Sequence, residues 1–170
     1  MANTYTLINS NTVGVGGAAS VTFSSIPQTY TDLMVKVSVR STAATAGTKL
    51  IIAINGVNTG YQGKNIIGDG SNVTSTANAT TGFQAGTVIS SYTASTFSNA
   101  EIYIPNYTTT SVDKVAQVMS VTENNATAAE TQLNSGSARA ATAVTSIRFA
   151  QNADNLAENS TFYLYGIKNS

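Results

Sequence analysis

The sequence contains no cysteine, no histidine and no tryptophan. Without cysteine there is no disulfide framework, no thiol nucleophile and no iron–sulfur ligand set. Without histidine there is no Ser-His-Asp or Cys-His relay and no imidazole for zinc. Charge is scarce too: 9% of the 170 residues are charged, against about 25% in an average domain. Eight basic and eight acidic residues cancel, which leaves no electropositive footprint for duplex nucleic acid. The longest apolar run, Leu50-Ile51-Ile52-Ala53-Ile54, is far short of the ~20 residues a membrane-crossing helix needs. The opening residues Met1 to Thr6 have neither the basic nor the apolar region of a signal peptide, so export by the secretory route is not expected.

What fills the chain is Thr, Ser and Asn, together roughly a third of it, beside a hydrophobic fraction of 42% that argues against charge-driven disorder. The length suits one domain over residues 1–170. Period-two alternation predicts strands almost throughout. Leu33, Val35, Val37 and Val39 point to a core while Lys36, Ser38 and Arg40 point to water. Tyr5 to Ile8, Ser20 to Ser24, Ala100 to Ile104, Val115 to Thr122, Val144 to Ala150 and Thr161 to Ile167 read as further strands. Asn55-Gly56 is a turn signal. Gly68 to Asn72 and Asn134 to Ser137 read as loop clusters, and Ser71 to Ala85 as a long loop. Short strands separated by frequent turns predict an all-β, antiparallel sandwich.

Two strands are apolar on both faces. Leu50 to Ile54 has no polar side, and Thr161 to Ile167 sets Phe162 and Leu164 against Tyr163, Tyr165 and Ile167. Either a loop of the same chain covers the second face or another subunit does; tyrosine suits the second role, offering a large ring with a polar tip. Chemical motifs are weak. Gly14-Val15-Gly16-Gly17 precedes a strand, not a helix, so it reads as a hairpin turn and not a phosphate cradle. The acids Asp32, Asp69, Asp113, Asp154, Glu101, Glu123, Glu130 and Glu158 are dispersed and read mostly as solvated surface charge, without the close pair of a glycosidase. Asp69 to Asn72 and Asn152 to Asn155 offer oxygens for calcium, but Asx turns explain both more simply. Tyr61, Tyr92 and Tyr107 lie beside predicted loops with amides nearby, an arrangement that raises a glycan-contact alternative. No cofactor, metal or membrane partner is expected.

Three stretches together carry a resemblance. They are Val21 to Pro27 followed by Thr29-Tyr30-Thr31-Asp32-Leu33, then Ile102-Tyr103-Ile104-Pro105-Asn106-Tyr107, and finally Phe162 to Ile167. In order and spacing the chain resembles small structural proteins of tailed-bacteriophage virions, decoration or fibre-associated β-sandwich proteins of phages of aquatic bacteria. The resemblance implies a sandwich of jelly-roll character and a place on the particle, and it brings no catalytic residue. The expectation is therefore a non-enzymatic protein made in the host cytoplasm that decorates the head as a cement protein. Its partners would be the major capsid protein and copies of itself, as a homotrimer on local three-fold positions. Tyr163, Tyr165 and Ile167 are the candidate subunit contacts, and Tyr5, Leu7 and Ile8, in a segment spanning residues 1–8, are the candidate shell anchor. The alternative is a tail- or head-fibre module that binds host-surface glycan through Tyr61, Tyr92 and Tyr107.

Overall fold

Strands that alternate apolar and polar residues must bury one face, and here they do so in two stacked antiparallel sheets. The computed structural model describes residues 4–87, 89–122, 124–125 and 129–168, side chains 78–80 excepted; the first three residues of the expected anchor and Glu123 lie outside the described residues. The strands are β1 (Tyr5–Thr12), β2 (Val21–Phe23), β3 (Asp32–Val39), β4 (Lys49–Ile54), β5 (Tyr61–Gly68), β6 (Val73–Thr80), β7 (Phe83–Gly86), β8 (Ser98–Ile104), β9 (Lys114–Thr122), β10 (Glu130–Ala138), β11 (Ile147–Gln151) and β12 (Thr161–Ile167). The larger sheet runs β1-β12-β3-β8-β9-β10-β5-β6 and the smaller β2-β11-β4-β7. No helix occurs among the described residues. One hydrophobic core joins the sheets, with Val35, Val37, Ile102, Val118, Phe162 and Leu164 from one and Phe23, Ile52, Ile54, Ile147 and Phe149 from the other.

The expected alternation of β3 holds: Leu33, Val35, Val37 and Val39 are buried and Lys36 is exposed. The expected turn also forms. Asn55 and Gly56 both take positive φ, 51° and 68°, the backbone of a type I′ turn. The Asn55 amide then stitches a distant segment, donating to the Ala143 carbonyl at 2.8 Å and accepting from the Thr145 N–H at 2.8 Å. The Gly14–Gly17 segment is a tight turn, closed by Gly17 N–H to the Gly14 carbonyl at 3.1 Å, but not the expected hairpin, because β1 and β2 lie in different sheets.

Three expectations are corrected. Ser71 to Ala85 is not a long loop but contains β6 and most of β7. Asn134 to Ser137 is not a loop cluster but the middle of β10, paired with both β9 and β5. The strand expected from Val144 begins only at Ile147. Of the two strands without a polar face, β4 is covered by its own chain: Ala53 is buried on the outer side, and the backbone at Gly82 lies against Ile51 and the Ile52 carbonyl.

The three stretches that carry the sequence resemblance meet at one corner. Strands β12, β3 and β8 are neighbours. Asp32, buried and not a surface charge as expected, accepts from the Tyr103 hydroxyl at 2.9 Å and the Asn106 N–H at 2.8 Å. The Tyr107 hydroxyl donates to the Pro27 carbonyl, and Thr31 N–H donates to the Ile167 carbonyl at 2.8 Å. The Tyr30 ring lies over Gly166, where an added Cβ would sit 2.3 Å from a ring carbon. Gly166→Ala is therefore expected to destabilise the fold by about 1–3 kcal/mol through overpacking. Chemical denaturation checks this, and combining it with Tyr30→Ala should remove much of the penalty.

Candidate assembly surface

In a sandwich with one wet face per sheet, strands should be apolar inside and polar outside. Strands β9, β10 and β5 reverse this along part of their length, although Ala116, Val118, Ala138 and Tyr61 still face in and Gln117, Ser135 and Lys64 still face out. Their inward positions include Ser120, Thr122, Gln132, Asn134 and Asn65, all buried. Their outward positions include Met119, 54% exposed, Leu133 and Ile66, each 48% exposed, with Val115 and Val121 also exposed. Two of the buried polar side chains are bonded within the fold: Gly86 N–H donates to Ser120 Oγ at 2.9 Å, and Gln132 Nε2 to Glu130 Oε2 at 2.9 Å, whereas Asn65 Oδ1 has no hydrogen-bond partner among the described residues.

Register places these outward side chains in one row. Tyr163 pairs with Lys36, Lys36 with Glu101, Glu101 with Met119, Met119 with Leu133, and Leu133 with Ile66. At ~4.8 Å per strand the row spans about 24 Å. The Lys36–Glu101 ion pair, 2.8 Å long and exposed, divides it. The Glu101 carboxylate raises the Lys36 pKa above the usual lysine value, by hydrogen bond first and charge second. On one side lie Met119, Val121, Leu133 and Ile66; on the other lie Tyr163, Tyr165, Tyr5 and Leu7. A depression of about 300 Å³ bounded by Lys36, Asn99, Glu101, Met119 and Val121 sits between them. Met119, Val121, Leu133 and Ile66 are neighbours on one face and form an apolar group, not singly scattered apolar residues.

The expected contact residues divide unevenly. Tyr163 is exposed and Tyr165 half-buried, its ring meeting Tyr5 edge-on at 6.4 Å. Ile167 is buried in the chain's own fold, so the candidate subunit contact at that position is corrected: its side chain has no surface to offer. Tyr5 and Leu7 are exposed, while Ile8 is half-buried and packs on the core.

The glycan candidates do not converge. Tyr61 is 3% exposed and Tyr107 is fully buried, so neither is a stacking platform. The Tyr61 hydroxyl accepts the Ile54 N–H at 2.8 Å, and its ring packs edge-on against Phe83 at 5.1 Å. Burial raises its pKa. Tyr61 opens β5 and Tyr107 lies in the turn after β8, and both point inward with the polar tip satisfied.

Tyr92 is half-buried in the segment between β7 and β8, which Arg40 organises. The Arg40 guanidinium donates to the carbonyls of Ser90 at 3.1 Å, Tyr92 at 3.0 Å, Thr93 at 2.9 Å and Thr96 at 2.9 Å. Arg40→Met is expected to release this segment, since each bond from a charged donor is worth about 1.5–3 kcal/mol. Hydrogen exchange should accelerate for residues 89–97 and stay unchanged in β9 and β10.

No cluster of three or more metal-ligating side chains occurs among the described residues. Asp69 forms the expected Asx turn, its Oδ1 accepting from Ser71 N–H at 2.8 Å and Asn72 N–H at 2.6 Å; these bonds hold its pKa below the usual carboxylate value. No helix is long and apolar enough to cross a membrane. Comparison with known proteins found no matching family model, curated protein or solved structure.

Proposed function

We propose that this chain is a non-enzymatic structural protein of a tailed-phage virion, which binds the assembled head and stabilises it. The observation that carries the reading is the sector of β9, β10 and β5 in which Ser120, Thr122, Gln132, Asn134 and Asn65 face in while Met119, Val121, Leu133 and Ile66 face out. A chain that works alone in water gains nothing by exposing Met119, Val121, Leu133 and Ile66; one whose outer sheet face is covered in an assembly gains about 25 cal/mol for each Å² of apolar surface removed from water.

Strand order supports the jelly-roll part of the reading. Successive strands cross between the sheets, and β2-β11-β4-β7 faces β3, the β8–β10 meander, β5 and β6. Leaving aside β1 and β12, this order fits an eight-stranded jelly roll, an architecture used in viral capsids, if the three-stranded meander takes the place of its seventh strand. The low charge fits as well, because apolar and hydroxyl contacts are little screened by salt.

In this reading the partners are the major capsid protein and other copies of the chain, three around each local three-fold position on the head surface. Binding only the assembled shell stabilises that shell by mass action. Purified heads stripped of the protein should take it up to a saturating copy number and melt at a higher temperature once loaded. Heads that melt unchanged, with host adsorption lost instead, point to the fibre alternative. Turnover of host polysaccharide would overturn both.

A further inference from the structure

The two sheets have four edges, and three carry a device that discourages pairing with another chain. Strand β1 has a register shift between Leu7 and Asn9. Strands β2 and β7 are only three and four residues long. The fourth edge, β6, has none. It is eight residues long, pairs with β5 without a register shift, and contains no proline and no charged residue. Every side chain from Val73 to Ala77 is exposed, so neither face of its N-terminal half is covered.

Its hydrogen-bonding direction follows from the turn that leads into it. Asp69 N–H donates to the Asn72 carbonyl at 3.2 Å, and Gly70 has φ 86°. Antiparallel pairs alternate between bonded and non-bonded, so Thr74, Thr76 and their even-numbered neighbours bond to β5. The N–H and C=O groups of Val73, Ser75, Ala77 and Ala79 then point away from the sheet.

We infer that β6 is a pairing edge for a second copy of this chain, joined antiparallel about a two-fold axis at Thr76. The register that uses all four outward residues sets Ser75 opposite Ala77 of the copy and Val73 opposite Ala79. Residues opposite each other share a face, so the apolar outer faces of both copies, with Ile66 and Leu133, lie on one side of a continuous sheet. The absence of charge in β6 is what a self-pairing edge requires, because any charge near a two-fold axis meets its own copy. This contact lies at the opposite end of the sheet from Tyr163 and Tyr165 and goes beyond head binding, so it is tested on the isolated chain.

The chain has no native cysteine, so a single introduced thiol reports cleanly. Thr76 would face its own copy in a non-bonded pair, with Cα atoms about 4.5 Å apart, inside the range for a disulfide. Thr76→Cys should oxidise to a covalent dimer at least tenfold faster than Val15→Cys on the exposed β1–β2 turn. Light scattering on the wild type at tens of micromolar should give twice the chain mass. Ser75→Pro removes only an outward N–H and should halve that mass while keeping the circular dichroism of the wild-type sheet. A wild-type monomer, with Thr76→Cys no faster than Val15→Cys, overturns the pairing. A dimer that survives Ser75→Pro and leaves Thr76→Cys reduced overturns it equally.

Discussion

Replacing Phe149 with alanine is expected to cost about 3–5 kcal/mol of folding stability. Phe149 is fully buried on β11. Its ring meets Phe23 of β2 at 5.9 Å, nearly perpendicular at 74°, and Phe162 of β12 at 5.0 Å. Phe162 belongs to the larger sheet and the other two to the smaller, so this trio is where the sheets are joined. A native domain is stable by about 5–15 kcal/mol, so the variant should unfold at a far lower urea concentration with an unchanged slope. Phe149→Leu keeps most of the volume and should cost under about 1.5 kcal/mol. A loss below 1 kcal/mol for the alanine variant would contradict the placement of the ring.

The second large effect is expected on binding and not on folding. In the paired substitution Met119→Lys with Leu133→Lys, two adjacent outward positions of the inverted sector become charged. Both side chains are about half exposed in the isolated chain, so the melting temperature should move by no more than a few degrees, as surface changes do. If the face is buried against the shell, two ammonium groups lose their hydration there, at a cost of several kcal/mol unless paired. Affinity for stripped heads should fall at least a hundredfold. Glu101→Gln with Lys36→Met, which removes the dividing ion pair, should leave folding intact and change head affinity much less, because exposed pairs contribute about 0–1 kcal/mol.

Sequence alternation located β3, β8, β9 and β12 because each buries one face completely, and Leu33, Ile102, Val118 and Leu164 recur at period two. It missed β6 for a physical reason. An edge strand that buries neither face of Val73 to Ala77 has no hydrophobic period to read. It mistook the middle of β10 for a loop because Asn134, Ser135 and Gly136 have turn composition; pairing on both sides overrides that local preference. The inverted sector was half legible. Lys114, Ser120 and Thr122 alternate with Val115, Met119 and Val121, but alternation alone does not say which set faces in. Here it is the polar set, with the Lys114 ammonium satisfied by Thr109 Oγ1 and the Val112 carbonyl, each at 3.0 Å. The tyrosines were legible as residues beside strand ends and not as buried ones, since the groups that satisfy their hydroxyls, the Ile54 N–H and the Pro27 carbonyl, are brought to them only by the fold.

The same contrast separates what holds the fold from what would make the assembly. The residues that carry the sequence resemblance, from Pro27 and Asp32 to Tyr107 and Gly166, meet one another in a corner of the sandwich. Their chemistry is internal satisfaction of buried polar groups. The outward row from Tyr163 to Ile66 is tied together internally only at the Lys36–Glu101 pair among the described residues, and its apolar members are between about a third and a half exposed.

A density map of the intact particle tests the central claim most directly. The account predicts this chain on the outer surface of the head, with the face bearing Met119, Leu133 and Ile66 turned toward the shell and excluded from water. Density for the chain with that face turned to solvent, or found only on the tail fibres, would contradict it.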